Sequence, residues 1–261
     1  MKCMLMVIRY CKHDKDKKLS LKKKILIKLM KIHLLLNLVR CYNSKVHGHL
    51  ANLLPDVLSK TAYSRTIGVL NGTSLYEASI WADKIKRTKK YAFTRTMHYI
   101  NIDGCSVTLD EIPYTKSGTI YEAITELTTG NGDRFSHLTD KERLMFLIHF
   151  LGDISQPLHV IAKDRGGNSV KIIRNKNGRN STTNLHTLWD SEIPQTLLSS
   201  GLYTPTLKNV SLINIVNFNL KVGCNHVYNF EDGYILFEDY YKENIVREMF
   251  DNYISLCVSY L

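Results

Sequence analysis

None of the six cysteines (Cys3, Cys11, Cys41, Cys105, Cys224 and Cys257) stands in a Cys-x-x-Cys pair, which argues against a thiolate zinc ribbon or a dithiol redox motif. Three of them lie in the first 43 residues, so the odd number that remains leaves at least one thiol unpaired. Apolar runs long enough to cross a bilayer, which needs ~20 residues, are also missing. In the apolar part of residues 22–43, Lys28 and Lys31 leave only Ile32–Val39 without a charge, which argues against a stable membrane anchor. Excess charge is absent from the body of the chain. The net +11 comes almost wholly from residues 1–43, where twelve Lys/Arg face Asp14 and Asp16, while the other 218 residues hold 23 Lys/Arg and 22 Asp/Glu. Overall basicity is therefore no argument for a nucleic-acid partner. Repeats and low-complexity tracts are lacking as well. The expected organisation is a basic leader, 1–43, and one domain, 44–261, large enough to bury a single core.

Residues 22–43 read as a lysine cluster, an apolar stretch and then small or polar residues, the layout of a secretory signal peptide. Lys28 and Lys31 interrupt the apolar part, so a basic amphipathic helix or a cytosolic extension is the competing reading, and Met30 offers an internal start. Sequons at Asn71, Asn180 and Asn209 are compatible with a secreted glycoprotein.

The body reads as mainly helical. Apolar residues recur at helical spacing from Leu50 to Arg95, which predicts two or three helices broken near Gly68 and Asn71-Gly72. A loop over 101–118 leads into a helix at Ile120–Leu127. Thr139 followed by Glu142 forms a capping box that opens a strongly apolar, buried helix closed by Pro157. Between Gly166 and Thr183 the pattern changes to a short β-hairpin with Asn177-Gly178 as its turn. Helix signals resume at Leu185, and Tyr234–Leu261 suits a closing helix.

The chemistry lies in an orderly spread of His and Asp. His149 and Asp153 are four apart, as are His186 and Asp190, so each pair shares one helix face and can reach one ion. His98 and His159 flank these pairs, and Asp83 follows Trp81 on an apolar face. Burying Asp83, Asp153 and Asp190 costs several kcal/mol per unpaired carboxylate, so each needs a cation. Few Lys or Arg lie near Asp153 and Asp190 in the sequence, and mixed His/Asp donors without thiolate suit catalytic zinc better than a structural site.

The segments SIWADKIK (79–86), MHYIN (97–101), HFLGDISQPLH (149–159), GGN (166–168) and NLHTLWD (184–190) resemble, in order and spacing, the class I zinc nucleases. These are single-strand-specific nucleases and 3′-nucleotidases, distantly related to bacterial zinc phospholipase C. The resemblance, from about Ser44 to the C-terminus, implies a single-domain helical fold with three zinc ions at the bottom of a cleft. By motif, Asp83, His98, His149 and Asp153 would hold the first ion, and His159, His186 and Asp190 the second. The third would take His49, the shared Asp153, and the amine and carbonyl of the mature chain's first residue. Members of the family begin with Trp five residues before that histidine, where this chain has Ser44; His47 is a competing ligand.

The resemblance implies hydrolysis of single-stranded DNA and RNA to 5′-phosphorylated products, and of 3′-nucleotides, by a soluble, secreted, monomeric enzyme. Asp153 would bridge two ions, so that a shared water is acidified for in-line attack on phosphorus. Lys86 would approach the phosphate, although a solvated helix lysine is the plain alternative. Tyr99 would stack on a base and Asn101 would hydrogen-bond its edge, while Gly166, Gly167 and Asn168 would let backbone approach the substrate, or merely make a turn. A Cys105–Cys224 disulfide is also implied, leaving Cys257 a buried thiol. Competing functions are a lipid phosphodiesterase of the phospholipase C type and a degenerate zinc-binding protein.

Overall fold

The computed structural model describes residues 42–112, 118–176, 179–228 and 243–261, without the side chains of 174–176, 179 and 228. The leader up to residue 41, the Asn177-Gly178 turn and residues 229–242 lie outside them. Side-chain caps decide where the first helices start. Asn43 accepts from the amides of Lys45 and Val46 at the head of α1 (Ser44–Ala51). Helix α2 (Leu54–Val57) carries Pro55 in its first turn. Ser59 caps α3 (Lys60–Leu70), and a Ser74/Glu77 capping box opens α4 (Leu75–Ile85). After α1, three helices thus occupy the stretch where sequence periodicity suggests two or three, and serine caps restart the backbone at α3 and α4.

Helix α5 (Ile120–Thr129) ends on Gly130 in the left-handed region, φ 71°, as a C-cap glycine should. Helix α6 (Asp140–Ile154) begins at the expected Thr139/Glu142 capping box. Ten consecutive residues of α6, Met145–Ile154, are buried, as befits a helix that is apolar nearly all round. Helices α4 and α5 pack against it, and α1 packs on α4. Phe135, Phe146 and Phe150 form the aromatic part of this core.

The hairpin pairs β1 (Lys171–Lys176) with β2 (Arg179–Asn184), from Lys171 opposite Asn184 to Lys176 opposite Arg179. It feeds directly into α7 (Leu185–Thr187), a π-helical turn (Leu188–Glu192) and α8 (Ile193–Ser200). Helix α9 (Leu212–Tyr228) was not visible in the sequence pattern, because its asparagines interrupt the apolar face. Two of them bond tertiary partners: Asn217 brackets the backbone N–H and C=O of Val107, at 2.8 and 2.9 Å, and Asn219 donates to the Ile154 carbonyl at 2.6 Å. The disulfide Cys105–Cys224 ties the 101–112 loop to α9, and Cys257 is a buried free thiol. Helix α10 (Glu243–Tyr260) closes the body against α2, α6 and α8. The architecture is mainly helical with a small antiparallel sheet, as expected. Among the described residues no helix is long and apolar enough to cross a membrane.

Candidate metal centre

Asp153, fully buried near the end of α6, is the hub. Its Oδ1 lies 3.1 Å from His47 Nε2, and its Oδ2 lies 2.8 Å from His98 Nδ1 and 3.0 Å from His149 Nε2. Asp83 Oδ1 is 3.7 Å from both His98 Nδ1 and His149 Nε2. On the other side, Asp190 reaches His159 Nε2 with Oδ1 at 3.6 Å and His186 Nε2 with Oδ2 at 3.4 Å. Three groups result, His47/His149/Asp153, Asp83/His98/His149 and His159/His186/Asp190, with donor atoms within 4.8 Å of one another in each.

Backbone carbonyls set the aim of three imidazoles. His149 Nδ1 donates to Ser79 O at 2.6 Å, His159 Nδ1 to His98 O at 2.9 Å, and His186 Nδ1 to Gly166 O at 2.7 Å. With Nδ1 protonated, each Nε2 lone pair points inward, the second-sphere arrangement that prepares a metal ligand. His159 Nε2 is buried and has no hydrogen-bond partner among the described residues. A divalent cation fits these donors, since it would satisfy the buried nitrogen and the carboxylates together.

The centre also separates the proton affinities of its members. Burial alone would raise the Asp153 carboxyl, but His149, with hydrogen bonds from His149, His47 and His98, holds it well below the usual range. Asp83 is likewise depressed against the effect of burial, by His149, Lys86 and His98. Burial, then the Lys86 charge, lowers His98 to about 4. Burial and then His149 lower His47. His149 and His159 are raised despite burial, by the neighbouring aspartates.

Residues 44–221 match the S1/P1 nuclease family. The chain belongs to that family. Among its relatives, Endonuclease 2 of Arabidopsis thaliana is 34% identical over 145 residues, 50% of this chain and 47% of that protein. Nuclease P1 of Penicillium citrinum is 32% identical over 160 residues, 58% of each. Endonuclease 1 of Arabidopsis thaliana is 35% identical over 164 residues, 58% of this chain and 48% of that protein. The matches span about half the length of these relatives.

The structure places the two histidine candidates of α1 differently. His49 is exposed, and the histidine at Asp153 is His47. Two residues on α1 are about 200° apart around the axis, so only one of the pair can face the core. Counting five residues back from His47 gives Tyr42 instead of Ser44. Ser44 is the exposed first residue of α1, whereas Tyr42 is fully buried with its ring edge-on to His47, centroids 5.5 Å apart. The neighbouring Asn43 N–H donates to Asp190 O at 2.9 Å, which draws this segment onto the centre.

The remaining site residues fall as follows. Lys86 Nζ pairs with Asp83 Oδ1 at 2.6 Å. Residues 98–102 run beside 159–162, with Ile100 N–H donating to His159 O and Ile102 N–H to Val160 O. This alternation buries His98, Ile100 and Ile102 and turns Asn101 out to solvent, with Tyr99 half-buried. Gly166 and Gly167 complete a left-handed turn with Asp164 and Arg165, at φ 50°, 58°, 63° and 76° in chain order. The turn presents the Gly166 carbonyl to His186. Asn168 Nδ2 donates to Arg165 O at 2.8 Å, which braces the turn. Sequence reading missed Gln156, a fully buried amide whose Nε2 donates to Asp190 Oδ1 at 2.7 Å. Its position inside HFLGDISQPLH was the available clue.

Proposed function

We propose that this chain is a zinc-dependent nuclease that hydrolyses phosphodiester bonds of single-stranded DNA and RNA to 5′-phosphorylated products, and dephosphorylates 3′-nucleotides. The observation that carries this reading is Asp153, whose two oxygens face different histidine groups, as a carboxylate shared by two ions must. Asp83, His98, His149 and Asp153 would hold one ion; His159, His186 and Asp190 a second; His47 and Asp153 a third. When bound, the ions would supply an acidified water and Lewis-acid stabilisation of the departing 3′-oxygen. Lys86 would neutralise a phosphate oxygen beside Asp83. Tyr99 offers a ring for an unstacked base and Asn101 an amide for its edge, while Gly167 and Asn168 shape the wall through the left-handed turn.

Residues 1–41 would be the removed signal segment of a secreted, monomeric protein. Cleavage between Cys41 and Tyr42 would free the Tyr42 amine, which with the Tyr42 carbonyl, beside His47, would complete the third site. The test is metal analysis and single-strand hydrolysis on the secreted protein, with its N-terminus sequenced. About three zinc ions per chain, a first residue of Tyr42 and loss of turnover in Asp153→Asn with helical dichroism intact are expected. Retained turnover in Asp153→Asn would overturn the assignment.

A further inference from the structure

Although the body is nearly neutral, its charge is not evenly spread. Between Asp83 and Asp103 lie Lys84, Lys86, Arg87, Lys89, Lys90 and Arg95, six of the 23 cations of residues 44–261, and no carboxylate. All but Lys86 are exposed. At least three of the six have local tasks, Lys86 through its pair with Asp83. Arg95 closes the turn after α4, its Nε donating to Lys86 O at 3.0 Å and its Nη2 to Arg87 O at 3.3 Å. Lys90 pairs with Glu142 at 2.6 Å and lies over the Tyr91 ring. The C-terminal dipole of α4 favours a cation or two in its last turn, which accounts for Lys84 but not for Lys89 beyond the helix end.

The position of this run matters more than its size. Of the three aspartates in the metal centre, Asp83 is the open one: its side chain is 21% exposed, against 0% for Asp153 and 3% for Asp190. The centre therefore meets solvent at Asp83, where Lys86 is already paired. In sequence that edge is followed by the exposed Arg87 and Lys89, four and six residues after Asp83. Exposed cations that follow the open aspartate of a phosphodiester site in sequence suit the repeating charge of a nucleic-acid backbone.

We propose that Lys84, Arg87 and Lys89 form a track for the backbone phosphates of a single strand beyond the scissile bond, which favours long strands over dinucleotides. The inference rests on the nuclease reading and refines it. It predicts a substrate-length effect that the metal centre alone does not.

The test is the triple variant Lys84→Gln, Arg87→Gln, Lys89→Gln in the secreted protein, freed of its basic leader in parent and variant alike. On a strand of about 30 nucleotides at low salt, kcat/KM is expected to fall about tenfold, through KM. On a dinucleotide it should stay within about twofold, and the log–log salt slope of strand binding, measured in EDTA, should fall by about 2, at ~0.7 per phosphate contact. Equal losses on both substrates, or no loss on either, would overturn the track. If the parent protein hydrolyses neither substrate, the nuclease reading fails. The slope in EDTA then still decides the track, a fall supporting it and no change overturning it. Loss of binding to phosphatidylserine vesicles with an unchanged DNA slope would overturn it in favour of a membrane surface.

Discussion

Gln156 and Asp190, one in the turn after α6 and the other in the π-helical turn, meet in the interior through a 2.7 Å bond from the Gln156 amide to Asp190 Oδ1. The same Gln156 side chain accepts from Leu158 N–H, so its orientation is fixed from both ends. Asp190 Oδ2 remains turned to His186.

Replacing Gln156 by Leu removes this constraint and leaves Asp190 free to rotate. Zinc affinity of the His159/His186/Asp190 group is expected to drop roughly 10- to 100-fold, read by competition with a chromogenic chelator. Gln156→Glu should do at least as much, because it sets a second carboxyl against Asp190. Wild-type affinity in both variants would show that Asp190 needs no positioning.

His47 and His49 provide an internal control on a single helix. His47→Ala is expected to lose one bound metal ion and most turnover, while His49→Ala keeps both, since only His47 faces Asp153. Metal content and single-strand hydrolysis read the two variants side by side. The reverse pattern would restore His49 as the ligand.

The left-handed turn makes opposite demands on neighbouring residues. A Cβ at Gly166 would lie 2.6 Å from the Leu158 carbonyl oxygen, at φ 63°. Gly166→Ala is expected to destabilise the fold by about 1–3 kcal/mol and to disturb the carbonyl that orients His186. Arg165, at φ 58°, is an L-residue in the same region, so Arg165→Gly should stabilise by about 1 kcal/mol. Urea unfolding of both variants measures the contrast.

Glu142 links pH to stability away from the metals. Burial alone would raise its carboxyl, but hydrogen bonds from Lys90, Tyr91 and Thr139 prevail and bring it down to about 2. A depressed carboxyl stabilises the folded chain above its unfolded pKa of about 4.3, and that contribution is lost as pH falls toward 2. Glu142→Gln should therefore lower the melting temperature at pH 6 and narrow the gap to the parent protein near pH 3. A gap that is constant across this range would remove Glu142 from the acid response.

Sequence by itself determined the parts of this protein that depend on near neighbours in the chain. The Thr139/Glu142 cap fixed the start of α6, and four-residue spacing put His149 with Asp153 and His186 with Asp190 on shared faces, because a helix brings such positions together whatever surrounds it. The choice between His47 and His49 was beyond its reach, since either could have faced inward until α1 packed on α4. Helix α9 escaped notice for a related reason: its Asn217 and Asn219 bond Val107 and Ile154, more than 60 residues away. The pairing of Asp153 oxygens with His47 and His98, the Gln156 brace on Asp190 and the bond from His186 to the Gly166 carbonyl all join segments distant in sequence. Only the tertiary fold decided them, because burial of charged and polar groups is affordable only where partners from separate elements arrive together.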